Sequence, residues 1–417
     1  MASSRASITS TEIFPAVSAA HRIFLHPVAS LRPFQTYHTC MLRWIFLALA
    51  FVSLSVSLLT IIRAPSWAPW QLAVLAGEYG HLLALASLGF LTLSWGLRGA
   101  HPGAAGVSMA ILALAALLYL KPAWQAWRIG AVVPDTLRAQ FGEVGMTGPA
   151  FSVGALLERD PAPVTVRNLH VTPDLPLDFY EPLQERVGPA PCVIVVHGGG
   201  WDSGDRRQLT HFNHWLAQRG FAVAAISYRL APRHIWPAQR EDVLAAIEFL
   251  KVRFAELGID PHRFVLLGRS AGGQIAQAVA YTANDPAIRG IVGLYSPADL
   301  VFGYAHAEED DMLKSPTLMR RYLGGTPETA RANYESASAH LHVKAGAPPS
   351  LLVHGENDAL VWHRHSVRLE ARLAEFGVPR VFVSLPWATH AFDFNLHGPG
   401  GQLTTFSVEW FLRSVTR

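Results

Sequence analysis

The stretch VLLGRSAGGQIA, residues 265–276, places Ser270 between small residues, directly after a branched apolar run and directly before a segment with helical spacing. A buried strand running into a helix through a tight turn fits that pattern. Gly268 and Gly272 impose no side chains, so strand and helix can pack closely around the turn and hold the serine exposed and strained. A helix starting at Ala271 brings free backbone N–H groups and the positive end of its dipole to the same point. A lone G-x-S-x-G arises by chance. Its serine becomes a nucleophile only if the chain also supplies a base, a group that orients the base, and donors for the oxygen that turns negative.

Outward from this stretch one theme repeats. VTVRNLHV (164–171) and LPLDFYEP (175–182) read as two opening strands. CVIVVH (192–197), FAVAAIS (221–227), FVLLG (264–268), GIVGLYS (290–296), SLLVHG (350–355) and VFVSLP (381–386) read as further strands. Helical spacing fills 206–219, 238–256, 271–282, 363–376 and 403–414. Apolar strands alternating with amphipathic helices predict an α/β fold, a mostly parallel sheet covered on both faces. Two cysteines, Cys40 and Cys192, lie too far apart for a disulfide framework or a zinc site, and Cys192 reads as a buried, inert thiol.

The required partners of Ser270 follow in order. HGGGW (197–201) ends a predicted strand, and its consecutive glycines let backbone N–H groups converge on a small anion. A phosphate loop would need Gly-Lys-Ser/Thr where Trp201-Asp202 stands, so an oxyanion hole is the better reading. SLLVHGENDALV (350–361) puts Asp358 a few residues past a strand, and SLPWATHAFD (384–393) puts His390 just past the next. Order and spacing predict a triad in which Ser270 attacks, His390 relays the proton and Asp358 fixes the imidazole tautomer. Glu356 competes as the acid, but it follows Gly355 immediately and points less surely to the site. His354, His363, His365 and His397 compete as the base. His363 and His365 also look like a metal pair, yet residues i and i+2 of a helix do not share a face. Solvated helix-start histidines are the expectation there, and no metal or cofactor is expected.

Half of the chain is hydrophobic and only 16% is charged, an apolar excess that points to lipid. Residues 44–62 carry no charge and sit between Arg43 and Arg63. Nineteen helical residues span roughly 28 Å, about the hydrocarbon thickness. Residues 79–97 and 103–120 are similar, with Trp44, Trp67, Trp70, Trp95, Tyr119 and Trp124 at the ends as interfacial aromatics. The expectation is three transmembrane helices within 41–121, a linker over 122–162, and a catalytic domain over 163–417 with an insert at about 298–348. Residues 1–40 are expected to be a disordered tail or a mis-assigned start, with Met41 the true beginning. Arg43, Arg98 and the tail arginines on one side, against Arg63, Lys121 and Arg128 on the other, favour a cytoplasmic N-terminus and an extracytoplasmic catalytic domain. A net charge of +3 without a basic run argues against nucleic acid, and nothing in the sequence sets an oligomeric state.

Together HGGGW, YRLAP (228–232) with Pro237 and Asp242, GRSAGG, HGENDALV and THAFD resemble the α/β-hydrolase superfamily. Within it they are similar to hormone-sensitive-lipase-like esterases and related carbohydrate esterases. The resemblance covers about 163–417 and implies an eight-stranded, mostly parallel sheet. It implies an oxyanion hole from the N–H groups of Gly199, Gly200 and Ala271, with Trp201 as an alternative donor. Asp242 matches a structural position that holds the loop after Tyr228. The implied reaction is cleavage of a carboxylic ester, whether of a small acyl group, lipid-derived or an envelope carbohydrate ester, through an acyl-enzyme. Amidase or peptidase activity on the same scaffold, or a non-catalytic membrane-bound scaffold, are the alternatives. Many lipase-like relatives carry an acidic residue where this chain has Arg269, which either makes a salt link beneath the turn or binds an anionic acyl group. The 298–348 insert, with its acidic run Glu308–Asp311 expected on a solvated face, is implied to cap the site.

Overall fold

Branched apolar runs interrupted by glycine turns give strands that are buried from end to end. In the computed structural model, which describes residues 32–99, 101–183 and 188–417, eight strands form one sheet. They are β1 (Val166–Thr172), β2 (Leu175–Tyr180), β3 (Ala190–Val196), β4 (Ala222–Ile226), β5 (Ile259–Arg269), β6 (Ile288–Leu294), β7 (Ser350–Gly355) and β8 (Arg380–Leu385). The order is β1-β2-β4-β3-β5-β6-β7-β8. β2 pairs antiparallel with both β1 and β4, so the β1–β2 hairpin runs against the sheet at one edge, and every other pairing is parallel. All residues of β3, β4 and β7 are buried, whereas the edge strands β1 and β8 alternate, as expected where only one face is covered.

Helices α1 (Arg32–Leu58), α2 (Trp67–Glu78), α3 (Gly80–Gly96), α4 (Pro102–Gly130) and α5 (Val133–Phe141) precede the sheet. Within and after it come α6 (Thr210–Gln218), α7 (Ala238–Val252), α8 (Phe254–Leu257), α9 (Ala271–Thr282), α10 (Leu300–His306), α11 (Ser315–Leu323), α12 (Arg331–Ala337), α13 (Arg364–Glu375) and α14 (Pro399–Val415). Two helical stretches, Met41–Leu58 and Pro102–Phe141, are long and apolar enough to cross a membrane, and the bent pair α2–α3 makes up to three. α1, α3 and α4 pack side by side. Phe46 meets Phe90, the Ser53 and Ser87 hydroxyls hydrogen-bond at 2.9 Å, and Tyr119 donates to the Ser53 carbonyl. α2 lies at 90° to α3, across the end of this bundle nearest the sheet. The helices outrun the expected boundaries, because α4 continues through Pro122 and α5 follows it. α1 begins at Arg32, and the expectation for residues 1–31 lies outside the described residues.

The bundle is fastened to the sheet by a buried carboxylate. Glu78, at the end of α2, accepts the Gly400 and Gly401 N–H groups at the start of α14, donors that the first turn of a helix leaves free. Its carbonyl accepts from Asn395. A second buried pair ties the sheet to the loop after β8. Arg269 is 1% exposed and donates from Nε to Asp393 Oδ2 at 2.5 Å, while Tyr295 donates to Oδ1 at 2.6 Å. The guanidinium also lies over the Phe212 ring at 4.5 Å, so it faces a packed core. Of the two roles open to Arg269, the structure supplies the salt link.

Removing one member of such a pair strands the other charge away from water. We expect Asp393→Ala and Arg269→Ala each to lower unfolding free energy by about 3–5 kcal/mol, with the double variant well short of the sum. Chemical denaturation of the detergent-solubilised protein checks this.

Candidate active site

Backbone crowding makes the turn at Ser270. A Cβ on Gly268 would collide with the Gly272 carbonyl, and one on Gly272 with the carbonyls of Val196 and His197. Glycine at both positions lets β5, α9 and the end of β3 meet. Ser270 itself sits at φ 53°, ψ −123°, a costly region for a side-chain-bearing residue. Its N–H donates to the Leu294 carbonyl at the end of β6, which holds the strained turn against the sheet.

The HGGGW loop is built around the same crowding. Gly199 has φ 121° and Gly200 φ 58°, conformations that an L side chain rarely adopts. Trp201 is anchored below: its indole N–H donates to Gln274 Oε1 at 2.8 Å and its ring stacks on Tyr322 at 4.5 Å. His197 stacks on Tyr228 at 4.2 Å. Gly198 donates its N–H to Gln208 Oε1. The N–H groups of Gly199, Gly200 and Ala271 have no acceptor among the described residues, and all three residues line one cavity with Ser270. Asp242 accepts from the Arg229 N–H and guanidinium, holding the segment after Tyr228 as the resemblance implies.

Past β7 and β8 the two remaining residues meet. His390 Nδ1 lies 2.7 Å from Asp358 Oδ2, while Oδ1 accepts the N–H groups of Leu360 and Val361 at 2.8 Å each. Nδ1–H therefore points to the acid and Nε2 is left to take a proton. Burial pushes the Asp358 carboxyl up, but His390 and His354 beside it outweigh this and hold it well below the usual carboxylate range. Tyr295 packs against the imidazole at 4.3 Å, and Tyr295 also binds Asp393, so the buried pair with Arg269 braces the histidine loop. Ser270, Asp358 and His390 line the same cavity, but no direct hydrogen bond joins Ser270 to the imidazole.

Competing residues go elsewhere. Glu356 accepts from Ser384 at 2.7 Å, away from His390. His354 is fully buried behind the acid, with Nε2 3.2 Å from Asp358 Oδ2 and 3.1 Å from the Val361 carbonyl, and Nδ1 2.7 Å from Ser366 Oγ. It supports Asp358 and faces no substrate. His397 lies near Glu158 and Asp160. The expectation of solvated histidines at 363 and 365 does not hold. His365 is buried and held down to about 3 by burial, with His354 adding to it, and His363 is held at about 4 chiefly by burial. Of the acidic run, Glu308, Glu309 and Asp310 are exposed as expected, while Asp311 is half-buried and accepts the N–H groups of Leu313 and Ser315. His354 was a candidate base rather than a support for Asp358, and Asp393 and Tyr295 were not legible as site residues; THAFD contains Asp393, but nothing local pairs it with Arg269.

A family profile, BD-FAE, matches residues 177–373. The chain is 31% identical over 255 residues to "Probable carboxylic ester hydrolase LipM" of Mycobacterium tuberculosis, covering 57% of this chain and 58% of that protein. It is 30% identical over 307 residues to "Esterase LipC" of the same organism, covering 69% and 73%. It thus spans little more than half of LipM. Among solved structures, Esterase B from Lactobacillus rhamnosis (HN001) superposes with TM-score 0.55 at 22% identity, over 71% of this chain and 95% of that one. "Bacterial Heroin Esterase" gives 0.54 at 24% identity over 61% and 84%, and both likenesses concern the fold alone. Sheet order and sequence similarity lead to one conclusion: the chain belongs to the α/β-hydrolase esterases.

Proposed function

We propose that this chain is a membrane-anchored serine hydrolase that cleaves carboxylic esters through an acyl-enzyme. One observation carries the reading: Ser270, the His390–Asp358 pair and the unpartnered N–H groups of Gly199, Gly200 and Ala271 border the same cavity. Ser270 Oγ attacks the ester carbonyl carbon as its proton passes to His390 Nε2. The three N–H groups donate to the oxyanion, and the imidazolium stays paired with Asp358. The C–O bond then breaks and the alcohol leaves with the proton from Nε2. Water repeats the sequence on the acyl-enzyme and releases the acid. The serine–histidine contact, open here, closes when substrate fills the cavity, as such contacts commonly do. No metal is needed, since triad and backbone donors supply both base and electrophile.

The anchor is the bundle of α1, α3 and α4. α3 has 17 residues, about 25 Å at 1.5 Å each, enough to cross if the bilayer thins slightly. Arg43 and Arg98 stand at the end away from the sheet, each over a tryptophan, Trp44 and Trp95. With the tail arginines they favour a cytoplasmic position for that end and an extracytoplasmic one for the catalytic module. The segment 298–348, which lines one side of the cavity, acts as its cap.

Ser270→Ala is expected to abolish hydrolysis of short nitrophenyl esters and labelling by a fluorophosphonate. Labelling of a residue other than 270 would overturn the assignment. Asp358→Asn should fold normally and cost about 10⁴-fold in kcat, the size seen when a serine protease loses its triad acid this way. Glu356→Gln should stay near wild type, and the opposite ranking reassigns the acid. External protease added to intact cells should remove the catalytic module but spare the helices, with protection meaning the reverse orientation.

A further inference from the structure

Resting on the esterase reading, we propose that the cavity at Ser270 takes a long-chain acyl ester directly from the bilayer, with the α1–α2 connector and the first turn of α2 forming one wall of the acyl passage. Three placements carry this. First, the cavity of about 830 Å³, in the roughly 300–1,000 Å³ range of small-molecule sites, is not built by the catalytic module alone. Ala64, Trp67 and Trp70 line it together with Ser270, facing apolar groups such as Leu313 and Leu318 from the 298–348 segment.

Second, the loop that carries Asp358 rests on the end of α1. Asn357 donates to the Thr60 carbonyl at 3.3 Å, Arg63 donates to the Glu356 carbonyl at 3.4 Å, and Ala359 packs against the cluster of Leu59, Ala64 and Ala73. Thr60 sits where α1 leaves its apolar stretch, and Lys121 of α4 reaches its carbonyl. The catalytic cavity therefore lies at the level where lipid hydrocarbon gives way to headgroups.

Third, the chain at that level is apolar and uncovered. Ile61 and Ile62 in the connector, and Trp67, Leu72 and Leu75 on α2, are each at least 40% exposed. A helix lying across the bundle end with tryptophans at its start is placed as interfacial anchors are. For a soluble ester these groups offer nothing. For a lipid ester they remove the unfavourable passage of each methylene through water, because the chain slides from leaflet to cavity along apolar side chains.

The test uses the full-length protein in phosphatidylcholine vesicles and two esters with one leaving group, 4-methylumbelliferyl butyrate in the water and the palmitate dissolved in the bilayer. Fluorophosphonate labelling counts competent sites, so that misfolded protein drops out of every rate. Wild type should hydrolyse both. In Trp67→Ala/Trp70→Ala the palmitate-to-butyrate ratio of kcat/KM should fall about tenfold, since even one methylene of lost apolar contact is worth that much. Trp127→Ala, exposed on α4 and remote from the cavity, should leave the ratio unchanged. An unchanged ratio in the double variant, or wild-type turnover of butyrate without palmitate, overturns the proposal while leaving the esterase reading intact. No labelling and no turnover of either ester overturns both.

Discussion

Three backbone segments meet at one point with no room for a Cβ between them, and this crowding sets the rest of the site. Where the end of β3, the end of β5 and the start of α9 converge, Gly268 and Gly272 are in contact with carbonyls on each side. That convergence forces Ser270 into positive φ and brings the Gly199–Gly200 loop to the same place as the first free N–H of α9. The strain is local, and it is borne by a sheet in which β3 and the Phe264–Arg269 half of β5 are entirely buried. In a parallel sheet all carboxyl ends open on one rim, so β7 and β8 deliver Asp358 and His390 there without further design.

What sets the precision of that delivery is a layer below the reacting groups. Asp358 is fixed by two backbone N–H groups on one oxygen and flanked by His390 and His354 on the other. His390 is steadied by Tyr295, and Tyr295 by Asp393, which answers Arg269 in the residue before the nucleophile. Ser270 and His390 are thus joined beneath the cavity by a charged, fully buried link even though they do not touch within it. A buried ion pair is a weak source of net stability, so its value here lies in geometry: two loops from distant strands cannot drift apart without exposing an uncompensated charge.

The sheet, the elbow and the placement of Ser270, Asp358 and His390 on one cavity were legible because each is announced locally, by a branched run, a glycine cluster or a residue just past a strand end. The link between Arg269 and Asp393 joins positions 124 residues apart and has no periodic signature. His365 was misleading for a related reason. Helix position and residue type suggest solvent, whereas tertiary packing against Asp299 buries it. Likewise 122–162 looked like a linker from its prolines and glycines, yet Pro122 is carried inside α4 and α5 packs on through Phe141 to Phe411 of α14.

The N-terminal helices were read as an attachment, and their contacts argue for a larger part. A tether needs only length and a hydrophobic surface; it has no reason to send a carboxylate into the start of the last helix of the fold. Glu78 does so, sharing the donors of Gly400 and Gly401 while Asn395 binds its carbonyl. Asn395 and Asp393 belong to the same short turn that follows His390. The α1 end meanwhile supports the loop of Asp358. Both residues proposed to activate Ser270 therefore sit on loops whose undersides are held by the helix bundle, so the orientation of the bundle and the geometry of the base are set by the same contacts.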